Sequence, residues 1–153
     1  MIRMFRKADA GPLRLMICDT IDASYSGVYP PRAVEFFKDY HSTKKIAERS
    51  ATGDVLVLER NGSILATGSL IGSEIIGVFV RSDCQRQNLG KTMMVELERR
   101  ARAKGLSEVT LSVSLPSRKF YEYLGYEVLA ERSLDVGEGQ YLNYWSGKKT
   151  LVP

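Results

Sequence analysis

Hydrophobic and polar positions along the chain follow two periods, and the switches between them outline an ordered series of elements. Ile2–Lys7 alternates apolar and basic residues, the pattern of a short strand. After Asp9, a residue suited to capping, Leu13, Met16, Ile17, Ile21 and Ala23 recur near helical spacing. Tyr25-Ser-Gly-Val-Tyr-Pro-Pro breaks that helix, because neither proline can continue it. Helical stretches follow from about Pro31 to Tyr40 and, shorter, from Ser42 to Arg49. Asp54–Glu59 is an apolar strand, and Asn61-Gly62 is a strong hairpin signal joining it to Ser63–Ile71. Gly72-Ser73 turns the chain into Glu74–Val80, which completes a three-stranded meander.

The period then changes again. Leu89, Met93, Met94, Leu97 and Ala101 share one helical face, opposite Glu96, Arg99 and Arg100, and Gly105 is a fitting stop. Glu108–Val113 predicts a strand, and Pro116 and Gly125 bracket a short helix carrying Phe120, Tyr121 and Leu124. Two further strands, about Glu127–Leu134 and Gln140–Trp145, meet across Gly137-Glu-Gly139. Hairpins make the first part of the sheet antiparallel, and the helical crossovers favour parallel neighbours. With no linker or internal repeat, residues 1–153 read as a single domain.

Composition narrows the function classes. A chain of 153 residues, 44% hydrophobic and 26% charged, is ordinary for a globular protein able to bury a core. No apolar run approaches the ~20 residues of a membrane-spanning helix, and the start lacks a secretory signal, so cytoplasmic residence with no membrane partner is expected. Cys18, Cys84 and the single histidine, His41, form no metal-ligand pattern, so no metal is expected. A net charge of +4 suits a small polyanionic ligand and is too weak to indicate nucleic acid.

The chemistry concentrates after the third meander strand. Gln85-Arg86-Gln87-Asn88-Leu89-Gly90-Lys91 connects a buried-looking strand to an amphipathic helix, whose first-turn amides and partial positive charge would receive a phosphate. Asn88 tolerates left-handed geometry, Gly90 lacks an obstructing side chain, and Arg86 and Lys91 add charge. A solvated helix start would leave the same pattern. The spacing Gln85-x-x-Asn88-x-Gly90 resembles the coenzyme A pyrophosphate loop of the GNAT superfamily, Gln/Arg-x-x-Gly-x-Gly/Ala, with Asn88 at the first glycine. Downstream, Ser114-Leu-Pro-Ser117-Arg-Lys-Phe120-Tyr121-Glu-Tyr-Leu-Gly125-Tyr126 resembles that family's Asn-x-x-Ala-x-x-Phe-Tyr-x-x-x-Gly-Phe block, with Ser114 and Ser117 replacing asparagine and alanine.

The resemblance implies an α/β (α+β) fold. Its mixed, mostly antiparallel twisted sheet has six to seven strands and about four flanking helices, splayed between the fourth and fifth strands. It implies acetyl-coenzyme A as co-substrate, with pantetheine along Val78, Phe79 and Val80, phosphates on residues 85–91, and contacts from Ser114, Ser117 and Tyr121. The implied activity is N-acetyl transfer to a primary amine of a small molecule or peptide, by direct attack in a ternary complex. Similar proteins are commonly homodimers. The alternative is a non-catalytic coenzyme A-binding module on the same fold.

Such a transfer needs a base for the amine, a donor for the developing oxyanion and an acid for the thiolate. The resemblance places Tyr121 as the acid and Glu74 as a general base, with the Val80 N–H facing the oxyanion. Tyr121 could instead be a core aromatic, and Glu74 an exposed strand-end carboxylate. Gly77 fits either a strand bulge or close packing. Tyr25, Tyr29, Phe36, His41, Tyr141, Tyr144 and Trp145 are candidates for the acceptor pocket, and equally for core or a dimer contact.

Overall fold

A computed structural model describes residues 1–152. It orders one seven-stranded sheet as β1-β2-β3-β4-β5-β7-β6. The strands are β1 (Ile2–Met4), β2 (Asp54–Arg60), β3 (Ser63–Ile71), β4 (Glu74–Val80), β5 (Glu108–Ser114), β6 (Glu127–Gly137) and β7 (Gln140–Thr150). The helices are α1 (Ala10–Tyr25), α2 (Pro31–Tyr40), α3 (Thr43–Thr52), α4 (Leu89–Ala103) and α5 (Arg118–Tyr123). Every strand pairing is antiparallel except that of β4 with β5. The mixed sheet expected from the sequence is the sheet found. Among the described residues, no helix is long and apolar enough to cross a membrane.

Each face of the sheet carries its own core. Val55 and Val57 of β2 join Leu13, Ile17 and Ile21 of α1 on one face, whereas Leu56 and Leu58 join Met93, Met94 and Leu97 of α4 on the other. A strand covered on both sides needs apolar residues at successive positions, which is why the β2 sequence shows no alternation. Asn61 and Gly62, at φ 52° and 79°, make the tight turn from β2 to β3 that their sequence demands.

Some boundaries differ from the sequence reading. β1 ends at Met4 because the chain turns into a 3-10 segment, Lys7–Asp9. Asp9 does not cap α1 with its side chain. Its carboxylate accepts from the Arg6 N–H at 2.7 Å and from Arg3 at 2.8 Å. Ser42 caps α3 instead, accepting from the Lys45 N–H at 3.2 Å, and α3 runs on to Thr52, giving five α-helices. β7 continues five residues past Trp145, because Ser146–Thr150 pair with Glu108–Ser112 of β5. Lys148-Lys149 breaks the apolar pattern there, and the reason is tertiary.

Lys149 donates to Glu98 of α4 at 2.9 Å and to the Leu124 carbonyl at 2.8 Å, while the Tyr126 hydroxyl donates to Glu98 at 2.8 Å. This cluster ties β7, α4 and the end of α5 together around one buried carboxylate. Lys149→Met is expected to cost about 2 kcal/mol in urea unfolding, because Glu98 would remain buried without its cation. The cost falls below that of a fully buried pair, since 26% of the Lys149 side chain is open to solvent. An unchanged midpoint would show that Arg102, 3.8 Å from Glu98, replaces the lost charge.

Candidate active site

The site begins where two neighbouring strands part. β4 and β5 pair only at Glu74↔Thr110 and Ile75↔Leu111. Beyond those positions β4 continues along β3 to Val80, while β5 continues along β7 to Ser114. The gap between them leaves backbone groups of β4 without a strand partner. Arg81 N–H donates to the Leu65 carbonyl at 2.8 Å, and the ladder alternates, so the Val80 N–H and C=O point away from β3 into the gap. The Val80 carbonyl there meets the Gln85 side-chain amide at 3.3 Å.

A bulge helps to open this gap. Ser69 pairs with Ile76 and Thr67 with Phe79, so Gly77 and Val78 together oppose Gly68. Gly77 adopts φ 66°, and a Cβ there would lie 3.2 Å from the His41 ring. Both sequence readings of Gly77, bulge and close packing, therefore hold.

At the end of the gap the chain enters α4 through a strained turn. Arg86 and Asn88 have φ of 68° and 61°, the left-handed region that asparagine accommodates better than most residues. Asn88 is the N-cap and offers no side-chain acceptor to the helix. The first intrahelical bond runs from Thr92 N–H to the Asn88 carbonyl, so the amides of Leu89, Gly90 and Lys91 have no acceptor within α4. Gly90 is required by packing rather than by open space, because a Cβ would sit 3.1 Å from the Phe120 ring.

These amides border a cleft of about 440 Å³, lined by Val78–Val80, Gln85, Arg86 and the start of α4 on one side and by Pro116–Tyr121 residues on the other. A second cavity of about 230 Å³ lies along β4 from Glu74 to Phe79, beside Phe36, Phe37 and Tyr40 of α2. Tyr25, Val78, Phe79, Ser117 and Tyr121 line both spaces. Tyr121 is 7% exposed, and its hydroxyl has no hydrogen-bond partner among the described residues, while burial pushes its phenol pKa up. Tyr25 bonds Ser114 at 3.0 Å, and Ser114 bonds Ser117 at 2.6 Å, giving a short hydroxyl chain beside Tyr121.

Residues 21–137 match the family model described as an acetyltransferase (GNAT) domain. The chain belongs to the GNAT acetyltransferase family. No curated protein sequence matches it. The GNAT architecture is shared with a GCN5-related N-acetyltransferase from Rhodopseudomonas palustris, at a TM-score of 0.89 and 22% identity over 99% of this chain and 95% of that one. It is also shared with the PaiA N-acetyltransferase from Thermoplasma acidophilum in complex with coenzyme A, at 0.76 and 18% over 98% of each chain. A ribosomal-protein-alanine N-acetyltransferase from Brucella melitensis superimposes at 0.75 with 19% identity over 99% of each.

In this GNAT protein the residues named from the sequence divide between the two spaces. Gln85, Arg86, Asn88, Leu89, Gly90 and Lys91 line the larger cleft, but Gln87 does not. Ser114, expected beside the cofactor, lines the smaller cavity only, held there by Tyr25. Glu74, Tyr25, Phe36, His41 and Tyr144 line the smaller cavity. Tyr29 lies beneath, donating to the Asn143 carbonyl at 2.8 Å and accepting from the Leu115 N–H at 2.9 Å. Tyr141 and Trp145 line neither space; Tyr141 is half-exposed and Trp145 lies under the Arg118 guanidinium. Thr20 and Ser24 of α1, Phe37 and Tyr40 of α2, Leu134 of β6 and Leu142 of β7 also line these spaces without any sequence signal, since each belongs to a segment remote from the motifs.

His41 shows how the local field is set. Its Nδ1 lies 3.0 Å from the Arg49 guanidinium, which only donates, so the ring proton sits on Nε2. Burial, with Arg49 and Arg14 nearby, holds the His41 pKa down at about 3, and the ring stays neutral at physiological pH.

Proposed function

We propose that this protein is a single-domain N-acetyltransferase that moves the acetyl group of acetyl-coenzyme A onto the primary amine of a small molecule or peptide, by direct attack in a ternary complex. The observation that supports this most is the meeting of the two spaces at Val78, Phe79 and Tyr121. One is rimmed by unpaired amides and basic side chains, and the other is a separate apolar cavity. Two reactants, one in each space, would touch at that junction, which is the geometric requirement for direct transfer.

The residues fit coenzyme A in chemical kind. Arg86, Lys91 and the first-turn amides of α4 would hold the pyrophosphate, and the open edge of β4 at Val78–Val80 would hold the pantetheine amides. When bound, acetyl-coenzyme A supplies an activated acetyl thioester. The Val80 N–H, which points into the gap, would donate to the carbonyl oxygen as it gains negative charge. Tyr121 would donate its phenolic proton to the departing sulfur; a phenol kept protonated by burial is suited to that step.

Glu74 would accept the proton of the incoming amine. It stands four residues before Val78 on a strand rising ~3.3 Å per residue, roughly 13 Å along β4, so its contact with the amine runs through water in the shared cavity. An exposed carboxylate on the cavity rim is placed for such a relay.

Calorimetry of the purified chain with acetyl-coenzyme A, paired with a thiol-release assay over a panel of amines, tests this reading. Saturable binding and amine-dependent thiol release are expected. No association with free or acylated coenzyme A would overturn it, and binding without release on any amine would leave a non-catalytic coenzyme A-binding module.

A further inference from the structure

The smaller cavity carries a charge pattern that restricts what can enter it. Its wall is rich in rings: Tyr25, Phe36, Phe37, Tyr40 and Tyr144 contribute, with Phe36 and Tyr40 stacked at 6.0 Å and Tyr25 edge-on to Phe37 at 4.7 Å. Glu74 supplies the one carboxylate among the lining residues, and neither lysine nor arginine is among them. His41 adds no charge, because its Nδ1 accepts from Arg49 and the ring is neutral. Arg49 stands beside His41 and off that wall, close enough for its charge to act on Glu74, but its donors are committed to other groups. It donates to His41 and to the Tyr40 carbonyl, and its guanidinium lies 4.8 Å from the centre of the Tyr40 ring.

Size adds a second restriction. At about 230 Å³ the cavity falls below the ~300–1,000 Å³ of pockets for drug-sized ligands. Aromatic faces attract an organic cation, and Glu74 reinforces that attraction at the rim. A carboxylate would enter a space with no lysine or arginine on its wall to pair it and with Glu74 to repel it. A second ammonium would have to be buried against aromatic walls with no second carboxylate.

We infer that the acceptor is a compact monoamine on an apolar, preferably aromatic body, carrying neither a carboxylate nor a second cationic group. The inference rests on the acetyl-transfer reading of the same site, and it narrows the acceptor from amines in general to one charge class. Free amino acids, polyamines and multiply charged amino sugars are thereby poor acceptors. Glu74 at the rim and Tyr121 at the inner end lie on the same lining, so Glu74 draws the cation in by its charge while the amine goes on to the proposed acid within one cavity.

Binding and turnover separate the two claims. Calorimetry on the full chain saturated with coenzyme A would compare phenethylamine, phenylalanine, spermidine and uncharged phenethyl alcohol. Phenethylamine is expected to bind at least tenfold more tightly than phenylalanine or spermidine. Glu74→Gln is expected to weaken phenethylamine about tenfold while leaving phenethyl alcohol within twofold. Equal or tighter binding of phenylalanine or spermidine overturns the inference. So does absence of phenethylamine binding, or an equal effect of Glu74→Gln on both phenethyl compounds. Thiol release reads the other claim: selective phenethylamine binding with no release from acetyl-coenzyme A sustains the acceptor class and sinks acetyl transfer. Release that favours phenylalanine does the reverse.

Discussion

Tyr121→Phe is expected to lower turnover by about 100-fold and to leave the dissociation constant of coenzyme A within about twofold. The size comes from the usual ~10²–10⁴-fold contribution of a positioned general acid. The low end applies because an amide-forming thioester cleavage has a comparatively good leaving group. Coenzyme affinity should survive because removing one hydroxyl leaves the buried ring in place, stacked edge-on against Tyr126 at 5.7 Å and Phe120 at 5.1 Å. The phenol has no partner among the described residues, so the substitution strands no buried hydrogen-bonding group, and folding should be unaffected. Single-turnover kinetics with the true acceptor, alongside calorimetry for the cofactor, checks both halves. Unchanged turnover would remove Tyr121 from the proposed mechanism and return it to the role of a core aromatic.

The second large effect concerns acid sensitivity. His41 is depressed from 6.5 to about 3 in the folded chain, so between those values the unfolded chain binds the extra proton. Stability contributed by the neutral ring is therefore fully present above about pH 6.5 and is lost as pH falls toward 3. From pH 7.5 to 5.0 the loss is roughly 2 kcal/mol, at ~1.36 kcal/mol per unit of difference below the unfolded pKa. The charges acting on the ring do not compensate: Arg49 already occupies Nδ1 and Arg14 adds positive charge, while Phe79, Tyr40 and the Gly77 bulge pack against it. His41→Gln keeps an acceptor for Arg49 and removes the titration. Urea unfolding at the two pH values should show the wild type losing about 2 kcal/mol more than this variant. Equal losses would mean that the ring protonates without cost, through solvent reaching it in the folded state.

Because His41 packs on Gly77, its protonation would also press on the β4 bulge that opens the gap. Binding of coenzyme A is expected to weaken over the same acid range in the wild type more than in His41→Gln, which links the stability measurement to the site. A neutral histidine held by an arginine is then a structural support for the cleft rather than a proton carrier.

The sequence by itself determined what depends on short separations. The Asn61-Gly62 turn, the β4-to-α4 connection with Asn88 in the left-handed region, and the short helix ending at Gly125 are set by residues within a few positions of one another. Local backbone preference and helix-end electrostatics act over that range, so these features were legible from residue types in order. Two motif blocks, around Gln85 and Tyr121, were legible for the same reason.

Only the tertiary structure decided how distant segments converge. Ser114 fell to the smaller cavity because Tyr25, 89 residues earlier, bonds its hydroxyl. β7 outran its apolar pattern because Glu98 of α4 neutralises Lys149, and Tyr141 and Trp145 left the pocket because pairing with β6 and β5 fixed which way β7 faces. The smaller cavity joins α1, α2, β4, β5, β6 and β7, whose mutual positions follow from burying two cores on one sheet. Long-range packing is a sum of many weak contacts with no local signature, so it appears in no single stretch of sequence.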